Sequence, residues 1–411
     1  MYIERNIQKL FHNTSKDNKI FLVIGARQVG KTTLLKHLAV DTNLKYVSLK
    51  DLINRDIALK DPALFLQRFN PPVIIDDIHY VPTLLDYIVT YLNKNELDDS
   101  IWLSSSQLFP SLKNFIETSN KSICIIDLYG LSLDEIDNTN NNLSFIPVPE
   151  RFLKLSQYKK RHSLNSIYKL IWQGSLPVFY NDDNNKYWQK YYSVYVQNLL
   201  QQDILKLLQI NDEMVFFRFL CAAATQTGRI VNYAELAKAA DISAPTAKQW
   251  VKTLEAAKVI YMLQPFIPAG SKYIVKAPKL YFYDTGLAAY LTRWNNPEAL
   301  ETGAMSNEFF MTWVTMEIYK SYSNHGIIPP IYYLRNFNGK EIDLIIYEDN
   351  IAYPVIIKKT TNYNKYLKIF NILDPVASDA NITIGYKGII CFTDKLDLFN
   401  KEYLAIPTWM L

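Results

Sequence analysis

The chain has 411 residues, 49% apolar and 20% charged, a composition that excludes a disordered or fibrous protein and, at roughly 150 residues per domain, predicts two to four domains. Its 44 basic and 40 acidic residues leave a net +4, too small to demand a nucleic-acid partner by itself, and no run approaches the ~18 apolar residues of a membrane span. Glu4, Arg5 and Lys9 stand where a secretory leader would be apolar, and Cys124, Cys221 and Cys391 match no metal spacing, so a cytoplasmic protein with reduced thiols and no membrane contact is expected.

The first strong element is the apolar run Ile20–Gly25, of the kind that forms a buried parallel strand. Gly25, Ala26, Arg27, Gln28, Val29, Gly30, Lys31 and Thr32 follow at once and fit G-x-x-x-x-G-K-[ST]; Thr33, Leu34 and Leu38 then continue as a helix. In that order the loop and helix N–H groups face phosphates and the helix dipole favours their charge. Lys31 is expected to reach the β- and γ-phosphates and Thr32 to sit on Mg²⁺.

A second apolar strand, Val73–Ile75, ends in Asp76 and Asp77. Carboxylates at the end of a buried strand need partners, so Asp76 is expected to hold Mg²⁺ through water or Thr32 and Asp77 to orient the attacking water. The alternative is a capping Asp before a turn. Tyr46–Leu49, Ile101–Leu103 and Ile123–Leu128 complete five strands alternating with helices, an α/β parallel-sheet core of the P-loop NTPase kind. Asn93-Lys94-Asn95-Glu96 only approximates a guanine-specificity motif and precedes the fourth strand, so ATP is the expected nucleotide.

Ile3-Glu4-Arg5, GARQVGKTT, IIDDIHYVP and SLDEI (Ser132–Ile136), with the later WQGSLP (Trp172–Pro177), KAPKLYFYDTGL (Lys276–Leu287) and the Glu308 region, resemble over nearly the whole chain a large prokaryotic family of AAA-type ATP-binding proteins with a C-terminal domain of unknown function. The resemblance implies a γ-phosphate sensor after the fourth strand, which Ser104 or Ser105 could supply unless the serines merely form a turn. AAA-type cores often complete their sites across subunits, which leaves a homo-oligomer open. The chain departs from the pattern twice. Asp77 stands where Glu is usual, which predicts slow hydrolysis, and Asn120-Lys121-Ser122 replaces a Gly-Arg before the fifth strand.

These readings place the ATPase core at 1–148 and a helical connector at 149–210, with Asp137–Asn142 as an exposed polar loop. A winged helix-turn-helix is expected at 211–295. There Asn232–Ala240, a turn with Ser243 as N-cap and Pro245 in the first turn, and a helix to about Lys258 precede a wing hairpin of Ile260–Phe266 and Lys272–Val275. Residues 229–293 hold nine Lys and Arg against four Asp and Glu, a net +5. Thr246, Lys248, Gln249 and Lys252 would face double-stranded DNA if this helix reads a groove; the alternative is contact with a protein client or a lid motion.

Residues 296–411 resemble a PD-(D/E)xK nuclease, Glu308, Asp343 and Lys358 matching three of its positions. Ile356 stands where the fourth, a carboxylate, belongs, and Glu341 shares a strand face with Asp343 and could compensate. The site is read as degenerate, a contact module rather than an active nuclease.

Overall fold

The structure is a computed structural model that describes residues 2–14, 19–40, 42–95, 100–106, 112, 115, 123–139, 143–155, 160–180, 184–204, 212–268 and 274–411. It divides into two compact units, one of Glu4–Gly130 with Ala256–Lys258, the other holding Leu131–Glu255, Val259–Leu411 and the first three residues.

In the first unit α1 (Gln8–Thr14) precedes β1 (Ile20–Ile24), α2 (Lys31–Leu38), β2 (Lys45–Ser48), α3 (Leu52–Lys60), α4 (Pro62–Arg68), β3 (Val73–Asp76), α5 (Leu84–Asn95), β4 (Ile101–Ser105) and β5 (Ile123–Asp127). The five strands form one parallel sheet in the order β2-β3-β4-β1-β5. β1, β3 and β4 are buried along their whole length, as expected of strands covered on both faces, and their side chains share a core with Leu49, Phe65, Leu85 and Ile88. Register aligns Ile24 with Ser105 and Ser48 with Asp76, so the carboxyl ends of four strands finish on one edge of the sheet. β1 lies between β4 and β5, and the loop after it opens where ligands bind in such sheets.

The second unit begins with helices α6 (Leu133–Asp137), α7 (Pro149–Leu155), α8 (Leu164–Gln173) and α9 (Trp188–Asn198). Asp137, expected in an exposed loop, is buried with its Oδ2 2.7 Å from His162 Nε2; 140–142 lie outside the described residues. α10 (Glu213–Thr225), β6 (Arg229–Ile230), α11 (Tyr233–Ala240), α12 (Ala244–Ala256), β7 (Ile260–Leu263) and β8 (Lys279–Phe282) follow. Asn232 caps α11 through Ala234 and Glu235 N–H, and Ser243 Oγ accepts from Thr246 N–H, so both expected helix starts are present.

Among the described residues β7 pairs antiparallel with Lys279–Phe282, in a sheet of order β6-β8-β7, and Lys272 and Tyr273 of the expected wing strand lie outside them. Pro265 and Pro268 have no N–H for a ladder, and Pro265 and Ile274 instead make single bridges to Tyr333 and Asn336. The turn at Ala269-Gly270-Ser271 and Lys272 lies outside the described residues, as do Asn120-Lys121-Ser122.

After α13 (Thr285–Leu291) and α14 (Pro297–Thr302), the long α15 (Ser306–Ser323) leads into β9 (Ile331–Arg335), β10 (Glu341–Glu348), β11 (Ile351–Ile357), α16 (Asp374–Ala380), β12 (Thr383–Ile384), β13 (Lys387–Cys391), β14 (Asp397–Phe399) and β15 (Tyr403–Pro407). They form a mixed seven-stranded sheet, with β12 paired to β11 beside the path β14-β15-β13-β11-β10-β9. One extra residue bulges β10 between Ile342 and Ile345. No helix among the described residues is long and apolar enough to cross a membrane.

Candidate functional site: the carboxyl edge of the parallel sheet

Two glycines fix the loop after β1. A Cβ at Gly25 would collide with the Leu128 carbonyl oxygen, and Gly30 sits at φ 100° as the N-cap of α2, a conformation that glycine adopts without cost. Gln28 also takes a left-handed φ of 64°. Gly25 N–H donates to the Ser105 carbonyl at 3.2 Å, which ties the loop to β4. Lys31 is buried and its Nζ donates to the carbonyls of Gly25 (3.0 Å) and Ala26 (2.8 Å), so the ammonium is folded onto the loop that carries it.

Asp76 is the hub. Its Oδ2 accepts from Thr32 Oγ1 and from the Tyr46 hydroxyl, each at 2.8 Å, and its Oδ1 accepts from Ser104 Oγ. Ser104 Oγ also accepts from the Asp77 N–H at 2.9 Å. The buried carboxylate therefore has three hydroxyl donors, which answers the cost of placing it at a strand end. Burial and the Asp76 charge hold the Tyr46 phenol protonated, keeping it a donor. Lys36 Nζ lies 3.8 Å from the centre of the same ring.

Asp77 adopts φ 62°, a left-handed conformation that favours glycine. Burial, and then the Asp76 charge, raise its carboxyl above the usual range, while Lys31 and Arg27 pull it back. His79 Nδ1 lies 3.9 Å from Asp77 Oδ1 and 3.5 Å from the Ser106 N–H, and its Nε2 has no hydrogen-bond partner among the described residues. Burial, with the positive charges of Arg27, Lys31 and Arg55, pushes this imidazole down to about 3, so it is neutral.

Sequence reasoning missed three contributors. Arg5 is buried and spans two carbonyls, Nη1 to Val29 (2.9 Å) and Nη2 to Tyr129 (2.6 Å), bracing the loop from outside. In the sequence Arg5 stands in a short N-terminal run with no local pattern that points to the loop. Tyr46 reads as an ordinary strand residue; the signal was a phenol two residues before the end of a strand whose neighbour ends in two acids. His79 reads as part of a turn.

The other candidate residues lie elsewhere. On α12, Lys248, Gln249 and Lys252 are exposed and Thr246 is half-buried, its Oγ1 2.7 Å from Ser243 Oγ. In the C-terminal sheet the structure brings Asp343 and Lys358 together: Asp343 Oδ2 accepts from Lys358 Nζ (3.0 Å) and from the Ile357 N–H (2.8 Å). Glu308 instead pairs with Arg229 at 2.7 Å, and Glu341 is taken by Lys279 and Arg335. The expected compensation by Glu341 is thus not seen; the bulge in β10 separates its environment from that of Asp343. Ile356 is fully buried beside Phe370 and Ile389. Among the described residues no three His, Cys, Asp or Glu side chains are grouped to hold a metal ion.

WQGSLP and KAPKLYFYDTGL turn out to be one structural knot. Asp284 caps α13 through the Leu287 N–H and also accepts from Ser175 N–H, Ser175 Oγ and the Tyr192 hydroxyl, at 2.6 to 2.9 Å. A Cβ at Gly174 or Gly286 would strike the Tyr192 hydroxyl.

Residues 17–137 match the model of the AAA domain, and 164–298 and 308–411 match two domains of unknown function (DUF8612 and DUF4143). Uncharacterized proteins of Mycobacterium bovis and Mycobacterium tuberculosis are each 22% identical over 343 residues, covering 83% of this chain and 70% of theirs. Among solved structures, a Walker-type ATPase of Pyrococcus abyssi is 11% identical with a TM-score of 0.44, covering 71% of this chain and 96% of its own. The RuvB Holliday junction branch migration motor of Thermotoga maritima is 18% identical with a TM-score of 0.31, covering 62% and 88%. The N-terminal unit is thus an AAA-type P-loop domain, and a DUF4143 domain forms the C-terminus.

Proposed function

We propose that the protein is a Mg²⁺-dependent ATPase of low turnover whose nucleotide state is coupled to the helical and C-terminal modules. The observation that carries this reading is the convergence of Lys31, Thr32, Asp76 and Ser104 on one sheet edge. Thr32 and Asp76 offer hard oxygen donors in contact beside a loop of N–H groups, a donor set that suits Mg²⁺ held jointly with phosphates. When bound, the ion would neutralise charge on the β- and γ-phosphates and on the developing leaving group.

The chain's own groups do the rest. Lys31 exchanges the Gly25 and Ala26 carbonyls for phosphate oxygens. Ser104, bonded to the Asp76 carboxylate and to the Asp77 backbone N–H, links a change at one residue to the other. Asp77 accepts the proton of the attacking water or orients it. Its side chain is one methylene short for that step, which is the basis for slow turnover. A non-hydrolysing switch acting on a protein client is the second reading, favoured by the same residue.

The coupled module includes α12, whose exposed Lys248, Gln249 and Lys252 suit double-stranded DNA. The isolated Asp343–Lys358 pair supports a degenerate nuclease-like fold without cleavage. Steady-state ATP hydrolysis of the wild type and Lys31→Ala, with and without duplex DNA, tests the proposal. Turnover abolished by Lys31→Ala supports it, stimulation by DNA adds the coupling, and absence of both binding and turnover refutes it.

A further inference from the structure

A cavity of about 550 Å³ opens in the helical part of the second unit, between α9, α10 and the end of α13. All of its lining residues fall within 164–298, the segment that matches a domain of unknown function. Its inner wall is Trp188, buried and stacked on Trp172 at 4.3 Å. Phe217, Tyr290 and Trp294 line it as half-buried aromatics. Its two ionisable cations, Lys190 and Arg293, are exposed, and no Asp or Glu lines it among the described residues.

Arg293 merits weight. It occupies φ 63° at the C-terminus of α13, where Trp294 N–H returns to the Ala289 carbonyl and glycine is the ordinary choice. A residue with a Cβ there costs on the order of 1 kcal/mol. The guanidinium is close enough to Cys221, on the cavity wall, to act on its thiol against the effect of burial.

Flat apolar faces, two cations and no carboxylate select a ligand that is planar, aromatic and anionic. We propose that this cavity binds a nucleotide unit, its heteroaromatic base against Tyr290, Trp294 and Phe217 and its phosphate at Arg293 and Lys190. The volume suits one such unit. The chemistry is shared by a free nucleotide and by one residue of a single strand. The site is separate from the Lys31 loop and does not depend on the reading of that loop.

The test uses the full chain with two probes, radiolabelled AMP in equilibrium dialysis and a fluorescent oligothymidylate in anisotropy, at low salt. AMP lacks the β- and γ-phosphates that Lys31 would hold, and Lys31→Ala serves as a control. Arg293→Gln with Lys190→Gln changes exposed side chains only, and should weaken binding about tenfold or more. Lys31→Ala and Lys248→Gln/Lys252→Gln should leave it unchanged. Binding of AMP alone identifies the source as a free nucleotide, and binding of the oligothymidylate as a single strand; either supports the site. No binding of either probe by the wild type, binding indifferent to Arg293 and Lys190, or binding lost only with Lys31 or with Lys248 and Lys252, overturns it.

Discussion

Thr32 and Tyr46 donate to the same oxygen, Oδ2 of Asp76, each at 2.8 Å. The first belongs to α2 and the second to an edge strand, so the residue proposed to position Mg²⁺ is shared with a side chain outside the loop motif. Tyr46→Phe removes a hydrogen bond that disperses the carboxylate's charge. The Mg²⁺ concentration for half-maximal nucleotide binding should fall by a few-fold, with a stability loss of about 1 kcal/mol. A Mg²⁺ titration at fixed ATP reads this; an unchanged or raised half-point removes the role given to Tyr46.

Arg5 donates to two carbonyls, those of Val29 and Tyr129. Arg5→Ala should lower stability by about 2 kcal/mol or more and weaken ATP binding about tenfold, because Val29 precedes the αL glycine that shapes the loop. Arg5→Lys should fall between, since one ammonium lacks the planar fork that reaches both oxygens. Thermal unfolding and ATP titration separate the two effects; equal affinities in all three proteins contradict the brace.

Asp77 is one methylene shorter than the Glu usual at this place, and a misplacement of about 1 Å can cost on the order of 10²-fold. Asp77→Glu should therefore raise kcat. An equal or lower kcat sinks the idea that geometry at this residue limits turnover.

His79 is neutral in the fold because its folded value, about 3, lies below the ordinary 6.5. Between those values the unfolded chain binds the extra proton, so stability rises with pH across this window and falls as pH drops through it. At pH 5 the loss from this group is up to about 2 kcal/mol relative to pH 8. Melting curves of wild type and His79→Gln at the two pH values check this: the variant should lose less on acidification, and identical losses would falsify the assignment.

Asp343 is almost fully buried and carries the Lys358 ammonium and a backbone N–H, so Asp343→Ala should cost about 3 kcal/mol, and Asp343→Asn less, as it keeps an acceptor for Ile357. Plasmid should stay intact with Mg²⁺ or Mn²⁺. Cleavage that Asp343→Ala abolishes would overturn the degenerate reading.

The parts legible in the sequence were those with a strict local grammar. IFLVIG followed by GARQVGKT dictates strand, loop and helix, and VIIDD dictates a buried strand ending in acids; both stand where expected at the sheet edge. What could not be read depends on pairing between distant segments. KLYF gave no sign that it would pair with β7, because several nearby runs suit a strand and only packing decides. Glu341 and Asp343 share an alternation on paper, and a single extra residue in β10 gives them different partners. The Arg5 brace spans 24 residues to Val29 and 124 to Tyr129, distances at which no periodicity speaks.

The Asp284 knot bears on how this chain can be divided. Its carboxylate needs Ser175, from a segment more than a hundred residues earlier, and Tyr192 between them. A fragment that starts after Pro177 would keep the half-buried acid and lose two of its donors, so it would be expected to unravel around α13. Excision upstream of α8 leaves the whole set intact.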